Sequence, residues 1–267
     1  MSFTGNILKM ESQIGNPISY FFRLGEKRIP MNELIGKQLK LRFTGRIFCT
    51  LCGTPMKKSY GTGFCYNCTQ TAPQADESVF HPELSKSQYG IYRDKEFAES
   101  HDLIEHVVYL ALTNQVKVGV TRIHQVPTRW IDQGANAAII LAQTPNRHIA
   151  GIIESFLKNH FTDKTSWQAM LKNETSEGIN LTDEKQRAIA LLPAELKQYT
   201  SSDDKITELH YPTAKYPHKL NSLNFDKQAC IEGTLTGIRG QYLYLDETNV
   251  INIRRHEGYE GVMSYEL

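Results

Sequence analysis

From His106 to Phe161 the apolar positions change period twice. Val108, Leu110 and Leu112 alternate with other residues, Thr113-Asn114-Gln115 interrupts them, and Val116, Val118 and Val120 alternate again. Alternation at period two puts the aliphatic side chains on one face, so the stretch predicts a hairpin with Tyr109 and Lys117 on the opposite face. Pro127 suits the first turn of a helix that carries Arg129 and ends near Gly134. Ala138 to Leu141 is a short apolar run that predicts a buried strand. Thr144-Pro145-Asn146 offers a helix start, after which Ile149, Ile152, Ile153, Phe156 and Leu157 recur at helical spacing. At about 100° per residue, Glu154 falls roughly 130° from the centre of that stripe, which predicts a carboxylate outside the buried face. The order is strand, strand, helix, strand, helix.

The flanks follow other patterns. Residues 1–48 alternate in ISYFFRL and KQLKLRFTGRIF, with turn signals at Gly15-Asn16-Pro17 and Gly25-Glu26-Lys27, and predict an N-terminal β unit. Residues 49–103 hold a cysteine-rich stretch followed by a polar, poorly periodic one, read as loops and short turns that wrap a neighbour. The central unit spans 104–172. Residues 173–225 begin as a helix over about Thr182 to Gln198, interrupted at Pro193. They then become extended, because Tyr211-Pro212 and Tyr216-Pro217 disfavour helix. Residues 226–267 alternate again in IEGTLTGI, QYLYLD and NVINIRR and predict a C-terminal β unit. With both ends β-rich, pairing into one sheet or barrel is open. The fold class expected is α+β.

Bulk composition narrows the class. Hydrophobic residues make up 40% and charged residues 22% of the 267, ordinary for a soluble globular chain. No apolar run approaches the roughly 18 residues needed to cross a bilayer, and no secretory leader is visible, which points to a cytoplasmic protein without membrane contact. Net charge is only +1, yet Lys37 to Pro73 holds six Lys or Arg and no acid. That segment can contact phosphate, or it is a solvated face that is basic by chance.

Within CTLCGTPMKKSYGTGFCYNC, Cys49, Cys52, Cys65 and Cys68 form two CxxC pairs with 12 residues between them. Two such knuckles place four thiolates tetrahedrally around Zn²⁺ at about 2.3 Å. A redox CxxC is the competing reading, but a paired set at this spacing favours structural zinc. The stretch resembles a zinc ribbon. Such a site is closed, so it carries no catalysis, and part of the nearby basic charge offsets its net negative charge. Cys230, in an alternating run, is expected to be a small buried hydrophobe, and Trp130 and Trp167 to be core aromatics. His106, His124, His148 and His160 are most simply structural; His124, near the Gly119 turn, is the one singled out for testing.

The central order, with Val107-Val108-Tyr109 in the first strand and Lys117-Val118-Gly119 in the second, resembles the GIY-YIG nuclease superfamily. Together with the zinc ribbon and the phrase KVGVTRIHQVPTRWIDQGA, it also resembles a bacterial family of unknown function that joins a zinc ribbon to a GIY-YIG-like core. The resemblance implies metal-assisted phosphodiester cleavage. Glu154 would bind one Mg²⁺ or Mn²⁺, Arg129 would hold the scissile phosphate, and Tyr109 would orient or deprotonate water with a lowered pKa. Lys117 stands where the superfamily has its second tyrosine, and would act as a base or as a phosphate clamp. Arg46, Lys57, Lys58, Arg122 and His124 are candidate nucleic-acid contacts. Two other readings stay open: a nucleic-acid-binding protein that does not cut, and a zinc-ribbon adaptor for other proteins. Relatives in the second family carry a further cysteine cluster around a PELC-like stretch. This chain has Pro82-Glu83-Leu84-Ser85 there, which predicts one zinc per chain.

Overall fold

The fold comes from a computed structural model that describes residues 1–60, 63–161, 166–176 and 178–266. Gly61 and Thr62 of the cysteine segment, 162–165 and 177 of the central and following segments, and the terminal Leu267 lie outside the described residues. In chain order the elements begin with β1 (Ser2–Gln13), β2 (Ser19–Leu24), β3 (Lys27–Pro30), β4 (Gln38–Phe48), β5 (Pro55–Met56) and α1 (Tyr66–Thr71). Short 3-10 turns follow up to Tyr89, then α2 (Lys95–His101), β6 (His106–Leu112), β7 (Val116–Arg122), α3 (Thr128–Asp132), β8 (Ala137–Thr144) and α4 (Arg147–Leu157). After these come α5 (Trp167–Leu171), α6 (Leu181–Leu191), β9 (Ile206–Glu208) and β10 (Asn221–Leu223). The chain ends in β11 (Cys230–Arg239), β12 (Tyr242–Leu245), β13 (Asn249–Asn252) and β14 (Tyr259–Tyr265). The fold is therefore mixed α+β, with sheets that are antiparallel except for the β10–β13 pair.

The chain divides into two compact units, one of residues 1–70 with 210–267 and one of 71–209. In the first, the two β-rich ends share one sheet, ordered β10-β13-β12-β11-β4-β14-β1-β2-β3, with β5 on β4. β4 is its central strand: Leu41 pairs with Ile231 on one side and with Met263 on the other. Ile7, Phe22, Leu39, Leu235, Leu243 and Met263 are among its buried aliphatic and aromatic residues, and burial alternates along β2, the start of β4 and the start of β14.

The second unit is built on a sheet ordered β7-β6-β8-β9. β6 lies between two antiparallel partners, with Tyr109 opposite both Gly119 and Ile140. Val108, Leu110, Val118 and Leu141 pack with Ala150, Ile153 and Leu157 of α4 and with Leu181 and Ala188 of α6. Asn146 caps α4, its Oδ1 accepting the Ile149 N–H at 3.0 Å. Of the two tryptophans, Trp130 is 2% exposed, but Trp167 is 37% exposed and is no core residue. It opens the short α5, which buries Met170 and Leu171 instead.

The polar segment 71–103 lies against α4. Arg147 donates from Nε to the Ser78 carbonyl at 2.9 Å and from Nη2 to the Val79 carbonyl at 2.7 Å. Gly151 lets the strap come close: a Cβ there would lie 2.2 Å from the Glu83 backbone nitrogen. Helix propensity alone favours Gly151→Ala by about 0.5–1 kcal/mol. The overlap is with backbone, which no rotamer relieves, so Gly151→Ala is expected to destabilise by about 1–3 kcal/mol instead. Urea unfolding measures the sign, and faster proteolysis within residues 78–86 would mark the displaced strap.

Candidate functional site

The cysteine cluster forms where β4 runs out. The Cys49 N–H donates to the Thr54 carbonyl at 2.9 Å and the Gly53 N–H donates back to the Cys49 carbonyl at 2.9 Å, closing the first knuckle. The Cys65 N–H donates to Cys49 Sγ at 3.3 Å and the Cys68 N–H to Cys65 Sγ at 3.5 Å. The four ligand atoms lie within 4.8 Å of one another, with Cys52 Sγ 3.8 Å from Cys65 Sγ. A tetrahedron with metal–sulfur bonds of about 2.3 Å has sulfur–sulfur edges of about 3.8 Å, so the set fits zinc. Thr54, by its hydroxyl and N–H, lowers Cys52 to about 6, while desolvation and the three neighbouring sulfurs push Cys68 up to about 12. Four adjacent thiolates need a cation between them, and a bound Zn²⁺ supplies it.

The second set of residues surrounds Tyr109, which is fully buried on β6. Its ring lies over Gly119, where a Cβ would meet the phenol oxygen at 2.6 Å. Its ring edge faces Trp130 at 5.9 Å, and its hydroxyl donates to Gln133 Oε1 at 3.0 Å. Burial pushes the phenol up to about 12, while the charge and hydrogen bonding of Arg129 oppose this and the charge of Glu154 adds to it. The charges of Arg129 and Glu154 thus both bear on the Tyr109 hydroxyl. The lowered tyrosine pKa expected from sequence is reversed, because desolvation outweighs Arg129. Lys117 is half-buried and shares the Tyr109 face, since it pairs with Ala111 two residues along β6. From sequence, Asp132-Gln133 reads as a polar pair of the first helix without a role; the structure gives Gln133, the residue that closes α3, the Tyr109 hydroxyl as its partner.

Glu154 corrects a second expectation. It is 8% exposed, because the face of α4 that lacks the apolar stripe is covered by the strap. Burial first, then the charge of Glu83, holds its carboxyl above the ordinary range, with Lys158 opposing at 3.5 Å. Asp102, which sequence reasoning also missed, gathers a polar cluster. It accepts from Ser87 Oγ at 2.7 Å, lies 2.8 Å from His101 Nδ1 and stands 3.9 Å from Arg147 Nε. These partners hold its carboxyl below the usual range against burial. Asp102 lies in a loop with no periodic signal, so only the fold reveals it.

The basic candidates divide. Arg46 is exposed but donates twice to Glu260, from Nε and Nη2, each at 2.8 Å. Lys57 and Lys58 are exposed, and Lys58 Nζ sits 4.9 Å above the Tyr60 ring. Arg122 is half-buried and in the field of Asp102, whereas His124 is exposed. Cys230 is exposed rather than buried, at the start of β11 opposite the exposed Arg42.

Metal analysis of the purified chain is expected to give one zinc, with loss of it in Cys52→Ser and in Cys68→Ser; two zincs would reveal a second cluster. His106 gives a pH prediction. It is fully buried, its Nδ1 lies 2.8 Å from the Ile104 carbonyl, and burial lowers it to about 4, with Arg147 and His101 adding. The unfolded chain takes this proton near pH 6.5, so stability complete above that pH falls as pH drops toward 4, by up to about 3 kcal/mol. Unfolding free energy between pH 7 and 4.5 is expected to fall less steeply in His106→Gln than in the parent chain.

Among the described residues no helix is long and apolar enough to cross a membrane. No curated protein matches the chain, and no solved structure does. A family model described as protein of unknown function (DUF2797) matches residues 36–261, which takes in the cysteine cluster, the Tyr109 face and most of the first sheet. The chain belongs to that family.

Proposed function

We propose that this chain is a nucleic-acid-processing protein whose second unit carries a GIY-YIG-like core. The observation that carries the reading is the setting of Tyr109: opposite Gly119 in a β-β-α-β-α unit, with Arg129 and Glu154 both acting on its hydroxyl. Arg129 is a half-buried cation whose planar fork suits a phosphate diester. Glu154 is an enclosed carboxylate, and hard oxygen ligation of this kind fits Mg²⁺ or Mn²⁺, which when bound would stabilise charge on a phosphate oxygen. Lys117, on the Tyr109 face, would add a further cation toward the phosphate. The cysteine cluster with exposed Lys57 and Lys58 would dock the strand.

A specific observation favours a second reading, binding without cleavage. Tyr109 is enclosed and its phenol stands at about 12, so it offers no base to water, and Lys117 replaces the tyrosine that would share the task.

One set of assays separates the two. The zinc-loaded chain is incubated with duplex, branched and single-stranded DNA and RNA in Mg²⁺ or Mn²⁺. Cleavage is expected, with Arg129→Ala and Glu154→Ala each losing about 10²-fold or more while their circular dichroism is unchanged. If no substrate is cut, the second reading requires salt-dependent binding that survives Glu154→Ala and weakens in Arg129→Ala and in Lys57→Glu/Lys58→Glu. Absence of any nucleic-acid retention at low salt would reject both.

A further inference from the structure

A cavity of about 510 Å³ opens within the strap and α2, on residues that the reading above leaves unused. That size lies inside the roughly 300–1,000 Å³ of small-molecule sites. Its floor is polar and enclosed: Ser87 is 5% and Asp102 7% exposed. Its walls are Leu84, Ile91, Tyr92 and Phe97.

Donor and acceptor accounting fixes what the floor can bind. The Ser87 hydroxyl proton is given to Asp102 Oδ2 at 2.7 Å, so Ser87 presents only lone pairs. Asp102 Oδ1 is 2.8 Å from His101 Nδ1, and each carboxylate oxygen keeps a second lone pair. The floor therefore offers acceptors, and a ligand must bring donors.

Charge points the same way. Asp76, Glu77, Asp94 and Asp102 line the cavity against Lys86 and Arg93. Arg93 is engaged by Asp76 at 2.9 Å and by the Ala72 carbonyl at 3.1 Å. Two cations outside the lining also act on Asp102: Arg122, half-buried, and Arg147, which spends its Nε and Nη2 on the Ser78 and Val79 carbonyls. A phosphate or carboxylate would meet lone pairs and like charge at the floor.

We propose that this cavity binds an organic cation, a primary ammonium or guanidinium head on an apolar or aromatic body. The head sits on Asp102 and Ser87, and the body lies among Leu84, Ile91, Tyr92 and Phe97. The site is independent of any nuclease activity. The cation can be a free amine or the arginine or lysine side chain of a partner peptide, and the two sources share this chemistry.

Calorimetric titration of the full zinc-loaded chain tests it, with benzamidine, agmatine and acetyl-Gly-Arg-Gly-amide as cations and benzamide as the uncharged isostere of benzamidine. Saturable binding of at least one cation is expected, with none of benzamide. Agmatine binding without the peptide marks a free amine; peptide binding without agmatine marks a partner side chain. Asp102→Asn is expected to weaken binding about tenfold or more, a loss of about 1.4 kcal/mol. Because Asp102→Asn can also disturb folding, Leu84→Trp serves as the second variant. Leu84 is 46% exposed at the cavity wall, so the larger ring blocks entry without entering the core. Benzamide binding as well as benzamidine would overturn the proposal. So would undiminished binding in folded Leu84→Trp, or no cation saturating below about 10 mM.

Discussion

The two-sided burial of α4 is the constraint on which the second unit depends. One side of the helix meets β6, β7 and β8 through Ala150, Ile153 and Leu157. The other is closed by the strap, which is admitted by the missing Cβ of Gly151 and held by Arg147. A surface helix with one apolar stripe would leave Glu154 in water, where its carboxyl would be an ordinary solvated acid. Covering the second side desolvates it, raises its proton affinity and brings Glu83 into its field.

The strap also organises polar groups that the sheet alone could not hold. Arg147 links it to Asp102, which in turn collects Ser87 and His101. Each partner satisfies a buried group whose exposure to an apolar interior would otherwise cost about 1–3 kcal/mol. The network therefore holds the floor of the cavity in place. Tyr109 is treated in the same way: Gly119 makes room for the ring, Trp130 packs against it, and Gln133 accepts its hydrogen bond. Enclosure of this kind orients the phenol while making it a poor base.

In the first unit the basic run Lys37 to Pro73 turns out to serve two ends. Lys40 and Arg46 lie on β4 and pair with Glu232 on β11 and Glu260 on β14. Lys57 and Lys58 lie between the two cysteine knuckles, just after β5, and are exposed. The excess of acids in residues 226–267 is thus partly the complement of the N-terminal bases, supplied across the sheet by the strands that flank β4.

By itself the sequence determined whatever rests on local periodicity or short spacing. The period-two run on either side of Asn114 is the β6–β7 hairpin, the helix start at Asn146 and the stripe from Ile149 to Leu157 are α4, and the two CxxC pairs meet as one cluster. Tertiary structure decided what depends on contacts between distant segments. Pairing of β1 with β14 and of β4 with β11 joins the chain ends, although each strand alone reads only as half-buried. Burial of Glu154, the upward shift of Tyr109 and the assembly of Asp102 with Ser87 arise because the aperiodic 71–103 segment or an opposed strand removes water from those groups. Periodicity records which side chains share a face. It does not record what covers the face, and desolvation by that cover sets the chemistry of the groups beneath it.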